Sequence, residues 1–381
     1  MAAASATEQD LREIAQAFAR HPGCRVLLIV TGTNPRLALD VALHDRYIAR
    51  IDAPNLVKAA LGEIDDFDAY LEALSGQPPS VALTYYSKPV EMAVADGDVT
   101  SESFRRRDRF VKLEKLHRCL NTLGVPIVME CGDMHSRLGS DHFYETIRRW
   151  RPVGLVTNNR AAIEIVQEEL AERRIDSVRT VLWQPLGIDP DVHRDYGLPK
   201  RDNFLLYGRT DESFRRTLRR YCRIRQAVTF GRFGFVQMRR NTVDGDTLFE
   251  RVNRARAAFA AHQSGGVYRG RPIGMTYAKY FEIPGCRTLL VGQPTPDLAH
   301  LGLVQDEHYV SVTPATYQRV IPSLAREIGS ARIQAMTDRA FVLVHDRHRI
   351  GRQINRTLSA VLAFTSASAG RAAAPPGAVR P

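Results

Sequence analysis

Long apolar runs are absent from this chain of 381 residues, and cysteine is scarce. No run approaches the roughly 20 consecutive apolar residues of a membrane-spanning helix, so we expect no integral membrane segment. The N-terminus MAAASATEQD has neither the basic nor the apolar region of a signal peptide, which favours a cytoplasmic protein. The five cysteines are widely spaced without a C-x-x-C pair, which indicates neither a disulfide framework nor a zinc site.

Acidic residues are fewer than basic residues in this sequence. Lys and Arg number 53 against 42 Asp and Glu, a net charge of +11 that favours anionic partners such as nucleic acid, nucleotide-sugars, anionic glycans and acidic lipid headgroups. Arginine clusters such as Arg215-Arg216 and Arg219-Arg220 are typical of solvated helix faces. No helix-turn-helix, zinc-finger or RNP-like signature accompanies them, so we predict no nucleic-acid partner, and peripheral contact with a membrane stays open.

Apolar segments alternate with amphipathic ones along the chain, which predicts an α/β fold with parallel sheets. The length exceeds what one hydrophobic core normally organises, and the Pro- and Gly-rich segment Gln184–Asp202 divides two halves of similar pattern. We therefore predict two Rossmann-like domains facing a central cleft, with ligands at the carboxyl ends of the strands. The predicted boundaries are 1–186 and 187–345 for the two domains, 346–364 for a helix crossing between them, and 365–381 for a disordered tail.

A glycine-rich segment, residues 262–274, precedes a predicted helix and a buried strand. Its glycines at 265, 266, 270 and 274 let backbone amides approach a ligand, and Arg269 and Arg271 add positive charge. A helix starting near Met275 or Thr276 would aim free N–H groups at the same place, and Pro284-Gly285 would end it. This order predicts a phosphate site, in which Lys279 contacts phosphate and Glu282 accepts from hydroxyls.

Two ordered segments, KYFEIPGCRTLLVGQPTPDL (279–298) and WQPLGIDPDVHRDYGLPKRDNFLLYGRTDESFRRTL (183–218), resemble the donor-binding and interdomain segments of GT-B glycosyltransferases. The resemblance is to the spore-maturation-type (CgeB-like) branch, and it covers roughly residues 154–362. It implies a nucleotide-diphosphate sugar held by the C-terminal half and a hydroxyl acceptor, such as a glycan, a lipid-linked molecule or a small molecule, held by the N-terminal half.

The resemblance also implies roles for single residues. Glu282 falls on the glutamate that binds the nucleotide ribose, and the superfamily's partner glutamate is replaced by Gly274, which leaves inverting or retaining stereochemistry open. The expected donor-binding residues are Arg209, Arg215, His262, Arg271, Thr276, Lys279 and Glu282. Among these, Lys279, Arg209 and Arg215 would neutralise the departing diphosphate, although each arginine is equally compatible with a surface ion pair. No D-x-D stands at the end of a predicted strand, so we expect no metal and no cofactor beyond the donor.

The segment PIVMECGDMHS supplies the candidates for the acceptor's proton. A buried strand ends here, and Asp133 and His135 follow it on the ligand-binding edge. His135 has the ordinary pKa of a base near neutrality, and Asp133 would orient it or be the base itself. Glu130 is the weaker alternative because it lies inside the strand. The sequence thus predicts a metal-independent glycosyltransferase; the alternatives are a nucleotide-sugar epimerase of the same fold and a non-catalytic glycan- or nucleotide-binding protein.

Overall fold

A computed structural model describes residues 5–30, 47–85, 101–132, 134, 137–208, 213–238, 245–261 and 267–372. They contain two separate parallel sheets, which confirms the predicted fold of two Rossmann-like halves. The strands are β1 Val26–Val30, β2 Leu56–Ala60, β3 Val81–Tyr85, β4 Ile127–Gly132, β5 Gly154–Thr157, β6 Thr180–Trp183, β7 Asp202–Tyr207, β8 Phe235–Met238, β9 Ala255–Ala260, β10 Val267–Tyr268, β11 Arg271–Pro272, β12 Leu289–Gly292 and β13 Tyr309–Ser311. The helices are α1 Ala6–Ala19, α2 Phe67–Gly76, α3 Ser101–Thr122, α4 Asp141–Trp150, α5 Ile163–Glu172, α6 Ser213–Val228, α7 Gly245–Arg254, α8 Lys279–Gly285, α9 Tyr317–Glu327, α10 Ala331–Arg347 and α11 Ile350–Ala372.

The N-terminal sheet has the strand order β2-β1-β3-β4-β5-β6, and every neighbouring pair is parallel. Its central strands are apolar runs, VLLIV in β1 and VALTY in β3, because helices cover both faces. One face packs on α3, α4 and α5, with Leu113, Phe143 and Val166 in a single core cluster. The opposite face packs on α1 and α11, where Phe18 and Ile354 are buried together.

The C-terminal sheet has the order β13-β12-β9-β7-β8, again with parallel pairs. Its two faces are buried in separate apolar clusters, one around Phe249 and Phe281 and the other around Phe204 and Phe259. Strand β7 pairs with β8 on one side and with β9 on the other, so it is an interior strand of the sheet. Its carboxyl end is among the strand ends where a ligand is expected.

The last helix, α11, returns to the N-terminal sheet. Ile350, Ile354 and Leu358 belong to the same core cluster as α1 and strands β1 and β3. The helix continues to Ala372, beyond the end predicted at residue 364. No side chain fits at Gly351, because a Cβ there would collide with Tyr47 and Asp10. The tight crossing of α1 and α11 thus fixes the C-terminal helix against the N-terminal half.

A buried ion pair lies at this crossing. Arg349 Nη2 donates to Asp10 Oδ1 at 2.7 Å, and both side chains are buried. Desolvation raises the pKa of the Asp10 carboxyl from 3.8 to about 6, and the Arg349 charge opposes only part of that rise. Within the described part of the chain, the second carboxylate oxygen, Oδ2, has no hydrogen-bond partner. Ionised Asp10 is therefore costly to bury.

We expect Asp10→Asn to change how stability depends on pH. Because the folded-state pKa is the higher one, the contribution of Asp10 is fully present below about pH 4 and is lost as pH rises through about 6. The asparagine variant does not titrate there. The free energy of unfolding of Asp10→Asn minus that of the wild type should therefore increase by roughly 2–3 kcal/mol between pH 4 and pH 7 in urea titrations. Parallel curves for the two proteins would contradict the raised pKa.

In the described ranges, no helix is both long and apolar enough to span a bilayer. The cytoplasmic location inferred from the sequence stays a prediction.

Candidate donor-binding site

The carboxyl end of β7 brings two cations to one backbone carbonyl. Arg215, in the first turn of α6, donates from Nη2 to the Tyr207 carbonyl oxygen at 2.7 Å. Lys279, the first residue of α8, donates from Nζ to the same oxygen at 3.0 Å. Arg215 is buried, so its charge acts in a medium of lower dielectric constant than bulk water. Two of the predicted donor residues therefore meet at the ligand-binding edge of the C-terminal sheet.

Gly208 leaves space for these two cations. Its φ is +82°, in the left-handed region, and a Cβ there would lie 2.6 Å from Lys279 Nζ and 3.3 Å from Arg215 Nη2. The backbone conformation favours glycine at this position, and any larger residue would displace the ends of these two side chains. Gly208 thus admits charged side chains next to the backbone at the end of β7.

Glu282 lies one turn after Lys279 and is buried. Its Oε2 accepts a hydrogen bond from the Tyr207 hydroxyl at 2.9 Å. Burial raises the pKa of the Tyr207 hydroxyl well above its ordinary value, and the Glu282 carboxylate raises it further, so this hydroxyl is a donor at neutral pH. Lys279 Nζ lies 4.9 Å from the centroid of the Tyr207 ring, within cation–π range. Tyr207 therefore contacts all three charged residues.

Tyr207 was not identified from the sequence, because NFLLYG reads as a buried strand in which tyrosine is an ordinary core residue. The only available signal was its position directly before a glycine at a strand end.

Helix α8 starts later and is shorter than predicted. It spans Lys279–Gly285 instead of beginning near Met275 or Thr276, and Pro284 lies inside its last turn. Thr276 precedes the helix and is buried, with its Oγ1 2.6 Å from Oγ1 of Thr295. This predicted donor residue therefore joins two loops through its hydroxyl. The short helix offers little dipole, so positive charge at the site comes from the side chains of Arg215 and Lys279.

The described part of the glycine-rich segment forms a hairpin and not a loop around an anion. Strands β10 and β11 are antiparallel, and Arg269 and Gly270 between them both have positive φ, as a two-residue hairpin turn requires. Arg271, predicted to bind the donor, has Nη2 2.8 Å from Oε1 of Glu168 on α5. Arg269 forms a bidentate pair with Glu172 at 2.6 and 2.8 Å. These arginines join the C-terminal half to the N-terminal half.

A buried carboxylate anchors the hairpin. Glu169 on α5 accepts from the Tyr268 hydroxyl at 2.6 Å through Oε1, and from the Tyr144 hydroxyl and the Gly139 N–H through Oε2. Asp297, in the loop after β12, makes a second junction by accepting from the N–H groups of Arg160 and Ala161. The two halves are therefore held together on the side next to α5.

A cavity of about 240 Å³ lies at the carboxyl edge of the N-terminal sheet. Its apolar lining includes Leu28, Ile29 and Leu83 from the strands and Ile350, Ile354 and Leu358 from α11. An engineered apolar cavity of about 150 Å³ holds benzene, so this one has room for more than a single aromatic ring. Ala278 also lines it and directly precedes Lys279, so the cavity extends to the start of α8.

Polar side chains from strands β3 and β4 line the cavity. The hydroxyl of Thr84 on β3 is buried and has no hydrogen-bond partner among the described residues. Glu130 on β4 also lines the cavity. The pairing of β4 with β5 shifts register between Glu130 and Gly132, and such an irregularity re-aims a side chain toward the sheet edge. The alternative base considered in the sequence analysis thus lies at the ligand edge.

Four predicted site residues, Asp133, His135, Arg209 and His262, lie outside the described residues. For the first two, the flanking Gly132 and Arg137 both line the cavity.

The sequence matches no protein-family model and no curated protein. Among solved structures, an α-glucosyltransferase in complex with UDP-glucose and DNA containing an abasic site is similar, with a TM-score of 0.56 and 10% identity over 88% of this chain and 98% of that chain. Sucrose-phosphate synthase from Thermosynechococcus elongatus gives a TM-score of 0.51 and 11% identity over 90% and 100%. Anabaena Alr3699/HepE in complex with UDP gives 0.50 and 10% over 88% and 100%.

The prediction that nucleic acid is no partner is wrong. It rested on missing sequence motifs, and the α-glucosyltransferase carries DNA on a similar fold. Identities this low establish the fold alone: the chain has the two-domain GT-B fold, and the similar structures include glycosyltransferases.

Proposed function

We propose that this protein is a glycosyltransferase that moves a sugar from a nucleotide-diphosphate donor to a hydroxyl acceptor. The observation that carries the proposal is the meeting of Arg215 and Lys279 at the end of β7, while Ala278, the residue before Lys279, lines the cavity of the N-terminal half. Glycosyl transfer needs this combination, because negative charge develops on the leaving diphosphate while the acceptor hydroxyl must be held next to the donor sugar. The resemblance to the CgeB-like branch belongs to the same proposal.

The donor's diphosphate would replace the Tyr207 carbonyl oxygen as the hydrogen-bond acceptor of Lys279 and Arg215. An anion bearing two phosphates offers both cations charge-assisted hydrogen bonds, which are about twice as strong as those to a neutral carbonyl. Glu282 would receive the ribose hydroxyls, with its carboxylate oriented by the Tyr207 hydroxyl. UDP and UDP-glucose are bound in two of the similar structures, which makes a uridine nucleotide the first donor to test. Arg209 and His262 remain proposed donor contacts.

The acceptor would enter the cavity. Its apolar walls favour an acceptor with an apolar group beside the reacting hydroxyl, and the Thr84 hydroxyl would hold a polar atom of it. Asp133 or His135 would take the proton from the acceptor hydroxyl. A DNA hydroxyl is a second acceptor class to test, favoured by the net charge of +11 and by the DNA in the similar α-glucosyltransferase structure.

We expect activity to survive a chelator such as EDTA. If Arg215 and Lys279 neutralise the diphosphate, a divalent ion has no necessary role in the chemical step. Initial rates with excess EDTA should stay within twofold of the untreated enzyme. Loss of activity that added magnesium or manganese restores would contradict this mechanism.

Two measurements test the function itself. A thermal-shift screen of UDP, GDP and their sugar conjugates identifies the donor, because a ligand bound only by the folded protein raises its stability. Release of nucleoside diphosphate is then followed with candidate acceptors, including DNA and small aryl or alkyl alcohols. Release that depends on acceptor supports transfer. Conversion of the donor sugar without acceptor would indicate the epimerase, and binding without either reaction would indicate the non-catalytic protein.

A further inference from the structure

Helix α6 and the segment after it form a strongly basic surface. Between Ser213 and Met238 the sequence has seven arginines and no acidic residue. Arg220, Arg223 and Arg232 are exposed, and no carboxylate within the described ranges pairs with any of them. Arg215 at the start of α6 belongs to the donor site, but these three arginines lie farther along the chain and take no part in it. The proposed reaction leaves their charge unexplained.

Large apolar side chains are exposed beside these arginines. Ile224 is 52% exposed, Val228 60% and Phe230 95%. Seven large apolar side chains in the described part of the chain are strongly exposed, and three of them fall within these seven consecutive residues. Such clustering marks an interaction surface, because single exposed apolar residues are normally scattered.

The basic and apolar side chains share one face. At about 100° per residue, Arg223, Arg220, Ile224 and Val228 fall within an arc of about 140° on α6. Phe230 follows in the turn, with a φ of +49° that is uncommon for an aromatic residue and adds backbone strain. The fold therefore holds a phenyl ring in water at the end of a row of arginines.

We propose that this surface, defined by Arg220, Arg223, Ile224, Val228, Phe230 and Arg232, docks the protein on an anionic lipid bilayer. Arginines contact lipid phosphates while the apolar side chains enter the boundary between headgroups and acyl chains. A nucleic-acid backbone would use the charges but would leave Ile224, Val228 and Phe230 in water, which is why the lipid surface is the better fit. Val228 is 13 residues from Arg215, about 20 Å along the helix, so docking leaves the donor site accessible.

Sedimentation with phosphatidylcholine vesicles, with and without phosphatidylglycerol, tests the proposal on the full chain. We expect binding only to the anionic vesicles and weakening by salt. Neutralising each arginine should weaken binding about fivefold, the equivalent of roughly 1 kcal/mol per basic side chain. The charge reversal Arg220→Glu/Arg223→Glu should therefore abolish most of it, and Phe230→Ser should weaken it without removing its salt dependence. Matched controls are Arg118→Glu on α3 and Val342→Ser on α10, which should bind as the wild type does.

Phe230→Trp adds a readout of insertion. Trp150 is fully buried and Trp183 is half-buried, so a blue shift of tryptophan emission on anionic vesicles would report the new side chain entering the lipid. Absence of vesicle binding, binding that the controls lose equally, or arginine-dependent binding to DNA without any binding to vesicles would each overturn the proposal. Donor binding measured on the same variants should stay unchanged, which separates this surface from the proposed transferase site.

Discussion

Lys279→Met should lower kcat/KM for the donor by roughly 10²–10³-fold, the cost of removing one preorganised group that stabilises developing charge. The ammonium group lies 3.0 Å from the Tyr207 carbonyl oxygen and shares that oxygen with Arg215. The diphosphate would gain negative charge within reach of both cations, and methionine keeps the length of the side chain while removing the charge. Stability should change little, because the Lys279 side chain is only partly buried. Steady-state kinetics and calorimetry with UDP measure the two effects.

A control variant and two further variants of the site accompany this experiment. Arg319→Met removes an exposed positive charge elsewhere on the C-terminal half and should leave donor kinetics unchanged. Glu282→Ala should weaken nucleotide binding through the ribose, whereas Tyr207→Phe, which removes only the hydroxyl that orients Glu282, should have a smaller effect in the same direction. If both Lys279→Met and Glu282→Ala bind the nucleotide as tightly as the wild type does, the donor does not bind at the end of β7.

The order of strands and helices was predictable because it depends on local pattern. Nine apolar runs of the sequence predict strands, at residues 25–30, 81–85, 126–130, 154–157, 179–183, 203–207, 257–261, 288–291 and 308–312. All nine form strands, since a parallel sheet covered on both faces needs such runs. The expectation missed β2 and β8, which lie at sheet edges and carry Lys58 and Gln237 within short segments, and the two-residue strands β10 and β11. It also missed α2, whose ten residues give too few turns for a clear helical period.

The glycine-rich segment shows where local reasoning fails. Glycines and arginines in one loop favour an anion site when their partners are unknown. Here the partners are Glu168, Glu169 and Glu172, which lie about 100 residues earlier on α5. A sequence pattern within residues 262–274 cannot show that these segments pack against the glutamates of α5. The arginines therefore bind the other half of the protein, and among the donor candidates that the structure describes, Arg215 and Lys279 meet at one carbonyl oxygen.

The exclusion of nucleic acid failed for a related reason. Helix-turn-helix and zinc-finger signatures are local, but a cleft between two domains binds a large ligand with residues from many segments. The net charge of +11 was compatible with a polyanion throughout.

One of the substitutions Asp133→Asn and His135→Ala should lower turnover by roughly 10²–10⁴-fold while donor affinity stays near the wild-type value, which is the effect of losing a general base. Gly132 and Arg137, on either side of these residues, line the cavity proposed for the acceptor. The pH profile separates the two candidates. A histidine base gives an acid limb near the ordinary imidazole value of about 6.5, and an aspartate base gives one near about 4.

Glu130→Gln is the matched comparison, since Glu130 lines the same cavity from β4. If Glu130 only contacts the acceptor, this variant should raise the KM for the acceptor and keep kcat within tenfold of the wild type. Full turnover in both Asp133→Asn and His135→Ala, together with a large loss of kcat in Glu130→Gln, would identify Glu130 in β4 as the general base. The register shift between Glu130 and Gly132 would then be the structural device that aims the base at the acceptor, because it turns a strand residue toward the cavity.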